Sequence, residues 1–240
     1  MDGLSEPAAI GHAERSHPAL MDVLGEAALP ASTELVATVL RRAFEQADVD
    51  VAHHAVRTFA FASLLAPTFG DDDVSADLLF TAAVLHDVGL STLSTSREPF
   101  EVVDADAARD LLVAHGYDDH DAEVVWDAIA LHSSGGIAER RGVITRLTRA
   151  GVGCDFGRFV ERIAPDVAGA VFEQFPRRNF AHALAAEVER HVAADPAGGP
   201  RYSFPGEIHR EFTLGATVTE MELDTLHSPW DLPAAGHDDG

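Results

Sequence analysis

An adjacent His86–Asp87 pair closes the most apolar stretch of the chain, residues 78–85. Imidazole and carboxylate groups are costly to bury without partners, and a divalent transition metal suits both as a partner. The pair therefore suggests metal chemistry. Taken alone, the dipeptide is explained equally well by a histidine and an aspartate that simply end a helix.

Two other positions could complete such a site. His54 and Arg57 are three residues apart on a helical pattern that continues with Phe61, so His54 is expected to point inward. A lone inward histidine is more often a packed core residue than a ligand. Asp155 stands in the glycine-rich stretch 151–157, where backbone freedom could aim a carboxylate inward at a helix end. An ordinary turn aspartate is the alternative there. Together with His86–Asp87, these residues would leave an open metal position, which catalysis requires.

Charge and composition exclude several classes of function. The 240-residue chain carries 40 acidic and 17 basic side chains, for a net charge of −23, and every basic residue is arginine. The absence of lysine excludes Schiff-base catalysis and lysine-dependent phosphate loops. A field this negative argues against a nucleic-acid partner. The single cysteine, Cys154, excludes a disulfide framework and a cysteine zinc cluster.

The remaining expectations concern location and partners. No run of about 18 apolar residues occurs, which predicts that no segment crosses a membrane. Residues 1–7 lack the basic and then apolar pattern of a secretion signal. We therefore expect a cytoplasmic protein with a small-molecule substrate and no membrane partner. The sequence leaves its oligomeric state open, a homo-oligomer included.

Hydrophobic periodicity predicts an all-α bundle of six to eight helices. Residues 1–30 are interpreted as an N-terminal arm with a short helix at most, and residues 31–195 as the main domain. Residues 196–240 are expected to be an extension that packs on this domain and frays at its end. The predicted helices cover about 32–44, 51–65, 75–86, 104–115, 121–132, 139–150 and 179–194.

The ordered set His54-x-x-Arg57, His86–Asp87 and Asp155 resembles the HD-domain superfamily of metal-dependent hydrolases. Within it, several stretches are more similar to the cyanamide hydratase group. These are residues 85–90, 97–102, 125–134 and 175–177, and the similarity spans about residues 34–195.

This resemblance implies an HD-domain helical bundle in which His54, His86, Asp87 and Asp155 hold one divalent metal ion. Zn²⁺ is the expected ion, with Fe²⁺ or Mn²⁺ as alternatives. The implied reaction is hydration of a small nitrile, such as cyanamide to urea, by a hydratase of the lyase class. Residues 103–104 depart from the expected acidic residue followed by glycine, so the substrate itself stays open.

A mechanism in which a metal-bound hydroxide attacks the substrate assigns roles to individual side chains. Asp87 would both bind the metal and relay a proton for an attacking hydroxide, and His132 would donate a proton or position the substrate. Ser133 and Arg97 are candidate substrate contacts, and Arg57 is a supporting ion-pair partner. A solvated surface arginine is the competing interpretation of Arg97. A histidine that favours a helix C-terminus is the competing interpretation of His132.

Three other functions compete with nitrile hydration. A phosphohydrolase would need converging cations, and only Arg57 and Arg97 lie within the motif segments, which favours a small neutral substrate. A two-metal site, including a di-iron oxygenase, would need two more histidines, for which His115 and His132 are available. The third alternative is a binding protein without catalytic activity.

Overall fold

The computed structural model describes residues 6–71, 73–90, 98–200 and 203–213, together with Thr225 and Trp230. Within these ranges the chain forms ten α-helices and no β-strand, which confirms the all-α class. None of the described helices is long and apolar enough to span a bilayer. The helices are α1 Glu6–Leu24, α2 Thr33–Gln46, α3 Val49–Leu65, α4 Ala76–Leu85, α5 Phe100–Ala114, α6 Asp119–Leu131, α7 Val143–Asp155, α8 Pro165–Gln174, α9 Phe180–Ala194 and α10 Phe204–Thr213.

Helices α3 and α4 form the centre of the bundle because both are buried on nearly every face. Each begins at a side-chain cap. Asp48 accepts the backbone N–H of Asp50 at 2.8 Å before α3, and Ser75 accepts that of Leu78 at 3.4 Å before α4. Helix α3 packs against α4, α7 and α9, so it lies between the elements that carry the candidate site residues.

Helix α7 continues through Gly151 and Gly153, and the turn of this glycine-rich stretch begins only after Asp155. A Cβ atom at Gly151 would lie 2.2 Å from the backbone oxygen of Thr58 in α3. The glycine therefore serves the close packing of α7 on α3, and no turn forms there. As a result Asp155 is the last residue of α7, whereas the predicted helix ended at about residue 150.

The N-terminal region also differs from the expectation of a loose arm. Residues 6–24 form a 19-residue helix that packs mainly on α2, with Ala9 and Leu20 fully buried. Its buried face consists largely of alanines, which give a weak hydrophobic pattern and conceal the helix in the sequence. Helices α8 and α10 were not predicted either, so the described chain exceeds the expected six to eight helices.

Candidate metal centre

Three buried side chains from α3 and the end of α4 converge on one point. His54 lies within α3, and His86 and Asp87 directly follow α4. One ligand atom from each of the three lies within 4.8 Å of the other two. None of the three residues is more than 2 % exposed. This donor set of two imidazoles and one carboxylate suits a divalent transition metal.

The orientation of the two imidazoles indicates what occupies that point. His86 Nδ1 donates to the backbone oxygen of Ala83 at 2.8 Å, and His54 Nδ1 donates to Asp155 Oδ2 at 2.6 Å. Both Nε2 atoms then carry lone pairs, and they lie 3.0 Å (His86) and 3.7 Å (His54) from Asp87 Oδ2. Neither Nε2 atom has a hydrogen-bond partner.

Lone pairs that converge in this way repel one another unless a cation lies between them. Burial also lowers the pKa of His54, which favours the neutral imidazole that a metal requires. The two unpartnered nitrogens and the carboxylate oxygen of Asp87 therefore fit a divalent ion.

Asp155 lies behind His54 and is not part of the three-residue cluster. Arg57 donates from Nε to Oδ1 of this carboxylate at 2.9 Å and from Nη2 to Oδ2 at 2.8 Å. The Nη1 atom of Arg57 donates to the backbone oxygens of Phe175 and Pro176. Asp155, the expected fourth ligand, therefore accepts hydrogen bonds from Arg57 and His54 on both carboxylate oxygens and lies next to the three-residue cluster.

The charge state of Asp155 follows from these contacts. Burial opposes its ionisation, but the Arg57 guanidinium and the hydrogen bond from His54 outweigh burial and hold the pKa of this carboxyl well below its usual range. An ionised Asp155 accepts the Nδ1 proton of His54 and so fixes the tautomer that presents Nε2 to the cluster.

His132 approaches the cluster from the end of α6. Its Nε2 lies 3.4 Å from Asp87 Oδ1, and its Nδ1 donates to the backbone oxygen of Ile129 at 2.7 Å. Burial opposes ionisation of Asp87, but His86 and then His132 hold the pKa of that carboxyl well below its usual range. Burial favours the neutral form of His132, but the contact with Asp87 outweighs burial, and the pKa of His132 is raised above its ordinary value.

A cavity of about 490 Å³ opens onto the cluster. His132 and Ser133 line it near Asp87, and α10 contributes the apolar side chains of Phe204 and Ile208. Three arginines also line it, Arg149, Arg158 and Arg210, and Arg210 pairs with Glu207 of the same wall. Arg149 donates to the backbone oxygen of His132 at 3.1 Å, which places its guanidinium near the metal end.

Two acidic residues beside the site were not predicted. Glu101 accepts the hydroxyl of Ser133 at 2.8 Å, and its second oxygen is buried without a partner. Asp104 lies against Gly89, where an added Cβ would be 2.3 Å from its Oδ1. Burial raises the pKa of both carboxyls, that of Asp104 strongly and with a contribution from Asp87. Their i, i+3 spacing on the buried face of α5 was the available signal.

The other sequence candidates are placed as follows. Arg97 lies outside the described residues. His115, considered for a second metal, donates from Nδ1 to the backbone oxygen of Leu111 and is not among the residues that line the cavity. Of the two histidines proposed for a second ion, only His132 adjoins the cluster.

Residues 51–162 match the family model described as HD domain. The match contains the three-residue cluster, Asp155, Arg149 and Arg158. No curated protein matches the chain.

Proposed function

We propose that this HD-domain chain is a metal-dependent hydrolase whose ion is held by His54 Nε2, His86 Nε2 and the carboxylate of Asp87. The convergence of two buried, unpartnered imidazole nitrogens on one carboxylate oxygen carries the proposal. Zn²⁺ fits this donor set best, and Fe²⁺ or Mn²⁺ also suit it. We take residues 31–195 as the catalytic domain.

When bound, such an ion lowers the pKa of coordinated water to about 7 and so supplies a nucleophile near neutral pH. A histidine of the protein, His132, can hold a proton beside this nucleophile. His132 Nδ1 is committed to the backbone, which leaves Nε2, 3.4 Å from Asp87 Oδ1, to bind or release a proton at the cavity. We propose His132 as the general acid, with Asp87 as the group that aligns it.

The cavity favours an anionic substrate, and a phosphate ester is the first candidate. Arg149 and Arg158 line it, and a guanidinium can bind phosphate oxygens in a bidentate manner. Arg57 is paired with Asp155 and Arg210 with Glu207, so Arg149 and Arg158 are the cations that would bind an anionic group. A volume of about 490 Å³ is also far larger than cyanamide, with three non-hydrogen atoms, would require.

Nitrile hydration is the second candidate, and it is favoured by the stretch 125–134 that resembles cyanamide hydratases. This stretch forms the end of α6 and delivers His132 and Ser133 to the cavity. The Ser133 hydroxyl donates its proton to Glu101 and keeps lone pairs that could accept an N–H group of cyanamide.

Turnover of a phosphomonoester and of cyanamide, measured side by side on zinc-loaded protein, tests the proposal. We expect ester hydrolysis that disappears in the His86→Ala variant and on metal removal. Turnover of cyanamide alone would reverse the order of the two candidates. Loss of neither activity in His86→Ala would contradict the metal mechanism.

A further inference from the structure

A second cavity, of about 250 Å³, lies between α1, α3 and the segment after α8. It shares no lining residue with the cavity at the metal cluster. Most of its lining lies outside the HD-domain match, which begins at residue 51 and ends at residue 162. Any function of this cavity therefore belongs to the chain's own additions to the HD domain.

His53 is the buried polar group that faces this cavity. It is only 5 % exposed, and its Nδ1 is buried without a hydrogen-bond partner. The rings of His12 and Phe175 hold the imidazole edge-on, with centroids 5.4 and 6.2 Å away. An unsatisfied buried polar atom destabilises the folded protein, so a ligand that forms a hydrogen bond with Nδ1 would remove that cost.

Two arginines give the cavity positive charge in a strongly acidic protein. Arg15 on α1 makes no ion pair with any residue in the described ranges. The Arg178 side chain is exposed, and its Nη1 lies 3.7 Å from Oδ1 of Asp50. Both cations line the same cavity as His12, and burial and then the charges of Arg15 and Arg178 lower the pKa of this histidine. Arg178 also has a left-handed backbone (φ 43°), a strained conformation that tends to occur at binding sites.

We propose that this cavity binds a small ligand through an oxyanion group, a phosphate or a carboxylate. Arg15 and Arg178 pair with the oxyanion, and the Nδ1–H tautomer of His53 donates to it. The volume leaves room for an organic portion, which would pack against Ala19 and Phe175 in the wall. Arg178 is only partly neutralised by Asp50, because a 3.7 Å contact at an exposed side chain contributes little.

Calorimetric titration of the full-length, zinc-loaded protein with inorganic phosphate, at constant ionic strength, tests this site. Arg15→Gln and Arg178→Gln should each weaken phosphate binding at least tenfold. Arg41→Gln, at an exposed position on α2, removes the same charge and should leave binding unchanged. Arg158→Gln, which changes the metal cavity, should also leave this binding event intact.

A parallel titration with acetate distinguishes the two ligand chemistries. Saturable acetate binding that depends on Arg15, without phosphate binding, assigns the site to carboxylates. The proposal is overturned if neither anion binds above a chloride control, if Arg41→Gln weakens binding as much as Arg15→Gln, or if only Arg158→Gln weakens it. Circular dichroism spectra of all variants would verify that each one folds.

Discussion

Oδ2 of Asp155 lies 2.6 Å from Nδ1 of His54, and Arg57 donates to both oxygens of that carboxylate. The three side chains form a buried hydrogen-bonded group that joins α3 to the end of α7. Its effect is to orient one imidazole, because an ionised carboxylate accepts the Nδ1 proton and leaves the Nε2 lone pair for the metal.

Replacing Asp155 with Asn should weaken metal binding without abolishing it. The amide keeps the shape of the side chain but loses the charge that fixes the His54 tautomer, and loss of such a supporting group lowers metal affinity about 10–100-fold. Competition with a chelator of known affinity measures the change. Asp166→Asn, at an exposed position on α8, serves as the control. Failure to bind metal at any concentration would instead make Asp155 a direct ligand.

Arg158 should determine preference for an anionic substrate. Arg158→Gln is expected to reduce kcat/KM for a phosphomonoester by about 10–100-fold, mainly through KM, because the lost contact is a charge-assisted hydrogen bond. Turnover of a neutral nitrile should change little. Arg158 is a cleaner test than Arg149, which also supports the backbone oxygen of His132. Equal effects on both substrates would argue against an anion contact.

Two glycine substitutions in helices should have opposite effects on stability. Gly151→Ala places a Cβ atom 2.2 Å from the Thr58 oxygen, so α7 must move away from α3, at a cost of about 1–3 kcal/mol or more. Gly169→Ala on α8 meets no atom within 4 Å and should stabilise the protein by about 0.5–1 kcal/mol. Urea unfolding of both variants measures the difference. A stabilising Gly151→Ala would contradict the packing of α7 on α3.

Glu187 should make stability fall as the pH rises. Burial raises its pKa to about 7, against the opposing charge of Arg190, while its Oε1 accepts the backbone N–H of Asp48 at the start of α3. A carboxyl whose pKa is raised on folding stabilises fully below its unfolded pKa of about 4.3, and that contribution is lost as the pH rises through 7.

The Glu187→Gln variant should therefore lose less stability than the wild type between pH 5 and pH 8. The upper limit of the difference is about 3 kcal/mol, from 1.36 kcal/mol for each pKa unit. Urea midpoints at the two pH values measure it, with Glu173→Gln, an exposed change on α8, as the control. Parallel pH profiles for wild type and Glu187→Gln would show that this carboxyl is not buried in its neutral form.

The central helices could be predicted from the sequence because their apolar residues dominate. Helices α2, α3 and α4 lie close to their predicted positions, whereas the alanine-rich buried face of α1 left too weak a pattern. Glycine was misleading in α7, since the sequence does not show whether Gly151 serves a turn or a close helix contact. That distinction depends on the neighbouring helix, which only the fold supplies.

The site could be predicted in part for a similar reason. Residue types and order placed His54, His86 and Asp87 in one group, and the structure brings them together. The contacts of Asp155 with His54 and Arg57 could not be predicted, because they depend on how closely α7 packs on α3. Arg149 and Arg158 reach the cavity from α7 and the loop after it, and no sequence motif marked them.

Metal content after saturation with Zn²⁺ and removal of excess ion tests the central claim most directly. Elemental analysis of wild type, His86→Ala and His115→Ala would compare a proposed ligand with a histidine outside the cluster, and circular dichroism would verify folding. We predict close to one zinc per chain in wild type and His115→Ala, and almost none in folded His86→Ala. Equal zinc content in all three proteins, or none in the wild type, would contradict a metal site at His54, His86 and Asp87.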